Sequence, residues 1–247
     1  LIRNGGPLPR DLVTRQSLEN ACALVAATGG STNAGLHLPA IAHEAGVPFT
    51  LDDVAKVFER TPLIGNLRPG GQYYAEDVHR LGGVKVIVKE LLKGGYIHGD
   101  APTVTGMTLA ELAADAPEPD GEVIRPLSNP LSPTGGVVVL KGSLAPEGAL
   151  IKVAGLKSLI HEGPALVFDS YPEMKKAVDD ENLDVTPDHV MVLRNAGPLG
   201  GPGFPEWGML PIPKYLLEQG VRDMVRISDA RMSGTSYGAT FDGSNRN

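Results

Sequence analysis

The sequence is short of the features that would place it in several broad classes. It has one cysteine and one tryptophan in 247 residues. The single thiol, Cys22, excludes an internal disulfide and points to a reducing, cytoplasmic setting. No apolar run approaches the roughly 18 residues of a membrane span. Lys and Arg number 22 against 29 Asp and Glu, a net charge of -7, and no basic cluster offers a phosphate-binding stripe. Nucleic acid is therefore not an expected partner. The opening Leu1-Ile2-Arg3-Asn4-Gly5-Gly6 is polar and turn-like and does not read as a secretory leader. It starts on Leu rather than Met, which points to a piece of a longer protein.

What is present fits a globular protein with a core. Hydrophobic residues make up 42% and charged residues 21%, and the length suits one large or two ordinary domains. Glycine (31) and proline (21) are both abundant without any repeat to explain them. Tight turns and backbone-lined loops are the expected use.

The first half reads as helical. Over 17–28 the apolar positions Leu18, Ala21, Cys22, Val25 and Ala26 recur at helical spacing. Gly29-Gly30 ends that helix, and Ser31-Thr32-Asn33 can cap the next. The next helix runs to about Ala45, and Pro39 should kink it or shift its start. Thr50 caps a further helix with Asp52 and Asp53 in its first turn. More helical text covers 74–81, 84–92 and 109–115. At Ala116-Pro117-Glu118-Pro119-Asp120-Gly121 the composition changes, giving candidate domains 1–118 and 123–247. Beyond it, runs rich in Val and Ile at 136–140, 150–154, 165–168, 190–193 and 224–227 predict strands. Helices over 172–179 and 213–219 interrupt them. The expected fold is α/β plus β, the remainder of an α/β domain followed by a β-barrel-like domain with attached helices. The tail Phe241-Asp242-Gly243-Ser244-Asn245-Arg246-Asn247 does not read as a strand.

Three stretches carry polar groups on loops. Gly29-Gly30-Ser31-Thr32-Asn33 is either a C-cap joined to an N-cap or a turn that offers hydroxyl, amide and backbone N–H groups to an anion. It matches neither a P-loop nor a dinucleotide fingerprint. The run from Asn195 to Gly208, between a strand and a helix, is stiff with Gly and Pro and holds one carboxylate, Glu206, beside Trp207. Glu206 is either a solvated loop charge or a hard oxygen ligand for Mg²⁺. Ser228-Asp229-Ala230-Arg231-Met232-Ser233-Gly234-Thr235-Ser236-Tyr237-Gly238 follows a strand. It is either a structural turn or a loop that presents Ser233. With no His nearby, a serine-hydrolase triad is poorly supported.

Together these stretches resemble the dihydroxy-acid dehydratase and phosphogluconate dehydratase family. The resemblance is carried by Gly29–Asn33 with Leu36-His37-Leu38-Pro39-Ala40-Ile41-Ala42-His43-Glu44, by Arg125-Pro126-Leu127-Ser128-Asn129-Pro130, and by Gly142-Ser143-Leu144-Ala145-Pro146-Glu147-Gly148-Ala149. Gly200-Gly201-Pro202-Gly203-Phe204-Pro205-Glu206 and the 228–238 loop complete it. The resemblance runs over about 8–238, and the tail 241–247 does not look like family sequence.

The resemblance implies a hydro-lyase that converts a 2,3-dihydroxy acid to a 2-keto-3-deoxy acid. It implies an iron–sulfur cluster on three cysteines, Mg²⁺, and a carboxy-terminal domain closing over the site. It makes Glu206 the Mg²⁺ ligand from that domain, Ser233 the base that takes the C2 proton, and Thr235 its assistant. Ser31, Thr32 and Asn33 would shape the substrate end of the site. The 228–235 loop and Pro205-Glu206-Trp207-Gly208 resemble the sugar-acid branch, such as arabinonate or xylonate dehydratases, so an aldonic acid is the expected substrate. Branched-chain dihydroxy-acid dehydration is the alternative. The cluster ligands are expected outside this chain, with Cys22 a core residue. Alone, this chain is expected to be inactive, and a non-catalytic acid-binding fragment is the rival reading. The complete enzyme is expected to be a cytoplasmic homo-oligomer, a dimer or tetramer.

Overall fold

The structure is a computed structural model, and it describes residues 5–153, 158–197, 209–232 and 240–243. The chain divides into two compact units, Leu1–Val138 and Val139–Asn247.

The first unit is helical, with α1 (Pro9–Leu12), α2 (Arg15–Ala27), α3 (Ala34–Ala45), α4 (Leu51–Arg60), α5 (Ala75–Arg80), α6 (Val84–Lys93) and α7 (Leu109–Ala113). Its core is built on the small face of α2. Leu18, Cys22, Ala23, Ala26 and Ala27 are buried there, with Val54, Val57 and Phe58 of α4 and Val86, Ile87 and Leu91 of α6 also in the interior. Small side chains let backbones approach closely. A Cβ on Gly135 would lie 3.0 Å from the Ala26 Cβ.

Thr50 caps α4 as expected, and Thr14 and Thr108, not singled out in the sequence, cap α2 and α7 in the same way. The Thr14, Thr50 and Thr108 side chains accept from the backbone N–H three residues on, and Asp53 and Glu111 answer the last two caps from N3. Pro39 lies inside α3, which neither starts late nor stops there. The compositional break at 116–121 stays within the first unit. The segment after it is bound back by backbone hydrogen bonds from Asn66 N to Val123 O (2.9 Å), Arg125 N to Ile64 O (2.8 Å) and Leu131 N to Leu63 O (2.8 Å).

An ion network joins α2 to α4. Arg15 donates to Glu19 at 2.7 Å and to Asp53 at 2.8 Å. The Arg15 guanidinium holds the Asp53 carboxyl well below its usual range. A depressed carboxylate contributes stability above its unfolded pKa, about 3.9, and loses it as pH falls through that value and below. Asp53→Asn should therefore lower stability at pH 7 by about 1 kcal/mol, since the pair is partly solvated. Melting curves should show the gap to wild type closing as pH is taken from 5 to 2. A gap that is constant with pH would remove the charge from the explanation.

The second unit holds β1 (Val137–Leu140, which straddles the division), β2 (Ala149–Lys152), β3 (Ala165–Phe168), β4 (Val190–Leu193), β5 (Arg226–Ser228) and β6 (Thr240–Gly243), with α8 (Tyr171–Val178) and α9 (Lys214–Glu218). They form one six-stranded sheet in the order β1-β2-β6-β5-β4-β3. β3, β4, β5 and β6 are mutually parallel, with Phe168 opposite Leu193 and Leu193 opposite Ser228. β2 joins β6 antiparallel.

The mixed helix-and-sheet class is as expected, but the described strands make an open sheet rather than a closed barrel. The reason lies in α8 and α9. Each stands between two strands, so its connection is a crossover and its strands are parallel neighbours. The tail is a second difference: Thr240–Gly243 is a strand. Its text is weak, yet it has ladder partners on both sides, β2 and β5, and pairing on two sides overrides a weak local preference. Beneath the parallel strands, Phe168, Met191 and Leu193 pack with Met174 and Val178 of α8, Leu210, Ile212 and Leu216 around α9, and Met224, Ala230 and Met232.

Candidate functional site

Parallel strands present their carboxyl ends along one edge, where α/β proteins place their ligands. Here that edge comprises Asp169 after β3, residues 194–197 after β4 and 229–232 after β5. The three ends are joined by polar contacts. Arg194 pairs with Asp169. The Asn195 side-chain amide donates to Asp169 O at 3.1 Å. The Asn195 and Ala196 backbone N–H groups both donate to the Asp229 carboxylate, at 2.8 and 3.0 Å. Asn195 has φ +62°, a left-handed conformation that Asn tolerates better than most residues. That twist places consecutive N–H groups on one carboxylate.

The stem of the Ser233 loop is anchored by packing. Ala230 and Met232 are 4% and 3% exposed and belong to the core. The Ser228 hydroxyl accepts from Ala230 N at 3.0 Å and tightens the turn between them. Arg226, on β5, is 3% exposed and donates from Nη1 to Leu210 O at 2.8 Å. Its Nε and Nη2 have no hydrogen-bond partner among the described residues, and burial pushes its pKa down. Glu206, Ser233 and Thr235 themselves lie outside the described residues.

In the first unit, Ser31, Thr32 and Asn33 occupy one turn between α2 and α3. Gly29 has φ +61°. Gly30 N donates to Val25 O at 2.9 Å and Gly29 N to Ala26 O at 3.3 Å, a Schellman closure of α2. The Ser31 hydroxyl accepts from Asn33 N at 3.2 Å. Asn33 is the N-cap of α3 but makes no side-chain cap bond. The C-cap half of the structural reading is thus realised, while the capping expected of Ser31-Thr32-Asn33 is replaced by a turn at Ser31. The Arg125–Pro130 motif is tied down by Glu90, a carboxylate 5% exposed that accepts Leu127 N at 2.8 Å. Gly142–Ala149 forms the turn between β1 and β2, closed by Gly148 N donating to Ala145 O at 3.1 Å.

Cys22 is a poor match for a metal ligand. It is fully buried on α2, its thiol faces Val54 O at 3.9 Å, and burial pushes its pKa up to about 12. Metals and clusters take the thiolate, so Cys22 does not fit an iron–sulfur cluster. Among the described residues no group of three His, Cys, Asp or Glu side chains is placed to hold a metal ion.

Sequence reasoning missed the clamp made by Asp229, the buried Arg226 and the role of Glu90. No local signal could have found the first, because its partners are more than 30 residues apart in the chain. An arginine inside an apolar strand was the one visible clue to the second.

Comparison with known proteins agrees with the motifs. Residues 1–112 match the family model described as dihydroxy-acid/6-phosphogluconate dehydratase N-terminal, and residues 122–242 match its C-terminal counterpart. The chain is 58% identical over 235 residues to dihydroxy-acid dehydratase 2 of Bordetella bronchiseptica, covering 95% of this chain and 40% of that protein. It is 55% identical over 239 residues to dihydroxy-acid dehydratase 3 of Bradyrhizobium diazoefficiens, covering 96% and 40%. Against dihydroxy-acid dehydratase of Parvibaculum lavamentivorans it is 55% identical over 234 residues, covering 93% and 40%. The chain thus spans about 40% of the length of these curated relatives. With both halves of the family matched in order, the chain belongs to the dihydroxy-acid/6-phosphogluconate dehydratase family.

Proposed function

We propose that the complete protein is a hydro-lyase that dehydrates a 2,3-dihydroxy carboxylic acid to a 2-keto acid. The observation that carries this is the identity of 51% or more to several relatives named dihydroxy-acid dehydratase, beside a family match that extends through the 226–232 stem. Ser233, on the loop that β5 and its buried stem anchor, takes the C2 proton, with Thr235 beside it. Departure of the C3 hydroxyl as water leaves an enol, which tautomerises to the keto acid. Ser31, Thr32 and Asn33 contribute polar contacts to the substrate end.

The family resemblance adds Mg²⁺ and an iron–sulfur cluster, which as Lewis acids would favour ionisation of the substrate. Glu206 is the proposed Mg²⁺ ligand from this chain. Cluster ligands are not assigned to it, and the 247-residue chain alone is proposed to have no turnover. The complete enzyme is further proposed to be a cytoplasmic homo-oligomer. Barrel-like closure of the second half would require further strands at the sheet edges β1 and β3.

The relatives' names shift the substrate from the sugar acids towards dihydroxy acids of the branched-chain type. The wording of the 228–235 loop, which favours an aldonic acid, is the one feature on the other side. Specificity constants of the complete enzyme decide between them. The expected result is a higher kcat/KM for 2,3-dihydroxyisovalerate than for C5 or C6 aldonic acids. The reverse order would restore the sugar-acid reading, and turnover of neither would remove the proposed activity.

A further inference from the structure

We infer that β5 and the residue after it clamp both ends of the segment between β4 and α9, with Asp229 and Arg226 as positioning residues for that segment. Asp229 takes the two N–H groups at its start, from Asn195 at 2.8 Å and Ala196 at 3.0 Å. Arg226 donates to Leu210 O near its end at 2.8 Å. Both anchor points are interior, with Ala196 5% and Leu210 0% exposed. The clamping residues are three apart in sequence and lead straight into Ala230 and Met232, the buried stem that precedes Ser233.

The chemistry of the two contacts explains why these residue types stand there. The Asp229 carboxylate meets the two consecutive backbone N–H groups with one oxygen each. Such charge-assisted bonds are about twice as strong as neutral ones. Arg226 carries a buried charge with one acceptor among the described residues, a costly arrangement that packing alone does not require. Its benefit is to fix a buried carbonyl far along the chain. One strand thus fixes the described ends of the segment whose sequence includes Glu206 and leads into the buried stem that precedes Ser233.

This rests on the proposed roles of Glu206 and Ser233 for its catalytic consequence, but not for the clamp. The clamp is tested on the 247-residue chain, whose only tryptophan, Trp207, lies in the clamped segment. Asp229→Asn leaves one N–H facing an amide donor, and Arg226→Met removes the other anchor. In each variant acrylamide quenching of Trp207 should rise about twofold, with cooperative melting retained. The control Glu218→Gln, on the exposed face of α9, should match wild type. Quenching unchanged in both clamp variants overturns the inference. If Asp229→Asn does not fold, Arg226→Met alone carries this comparison.

In the complete enzyme, Asp229→Asn should lower kcat about 10²-fold with KM changed less than about threefold, because loosened geometry costs rate before binding. Wild-type kcat in that variant overturns the positioning role. An inactive wild-type enzyme would instead remove the proposed function, leaving the quenching result to decide the clamp.

Discussion

In the complete enzyme, Ser233→Ala is expected to lower the rate of 2-keto acid formation by about 10²–10⁴-fold, the usual cost of removing a positioned base, while substrate still binds. The proton at C2 is weakly acidic and needs a base held against it. A serine hydroxyl is too weak for this at neutral pH unless positive charge lowers its pKa. The loop that follows β5 suits the task in two ways. Met232, immediately before Ser233, is buried, so the stem is fixed. Gly234, immediately after, is a residue type that permits a sharp turn.

The only carboxylate in the loop, Asp229, is a poor substitute. Both of its oxygens already accept backbone N–H groups, and taking a proton would remove the charge that strengthens these bonds. Single-turnover kinetics of Ser233→Ala beside Asp229→Asn provide the measurement. Near-normal turnover by the serine variant with a dead aspartate variant would move the base to Asp229. A serine variant that loses thermal stability but little rate would make Ser233 a turn-former.

The sequence foreshadows the elements better than their assembly. Periodicity locates α2, and the Thr50 cap with its acidic first turn locates α4, because a buried stripe and an N-cap threonine are local signals. β3 and β4 are legible as four-residue apolar runs for the same reason. Whether two strands run parallel depends on the connection between them, so the open parallel sheet is visible only once α8 and α9 are read as crossovers. β6 shows the opposite limit. Thr240–Gly243 has little strand character of its own and is made a strand by β2 and β5. Candidate site residues such as Glu206 and Ser233 stand out by resemblance alone. Those that hold a motif in place, such as Glu90 for Leu127 or Asp229 for Asn195, depend on contacts between distant residues and leave no pattern.

Glu206→Gln in the complete enzyme is expected to raise the Mg²⁺ concentration needed for half-maximal activity by at least about 10–100-fold. Mg²⁺ binds oxygen ligands, commonly one or two carboxylates with substrate oxygens and water. Between Asn195 and Gly208 there is one carboxylate, Glu206, and the surrounding Gly and Pro residues leave little else that could ligate a hard cation. Gln keeps the shape and one oxygen but loses the charge, so a ligand should weaken while the fold is spared. Even a residue that merely holds a metal ligand in place typically costs about 10–100-fold in metal affinity when replaced. A direct ligand should cost no less. The assay is a Mg²⁺ titration of turnover for wild type and variant, with cluster absorbance recorded in parallel. Parallel loss of Mg²⁺ response and rate with unchanged absorbance identifies Glu206 as a ligand. Superimposable titrations would make it a solvated charge on the segment that Asp229 and Arg226 hold to β5.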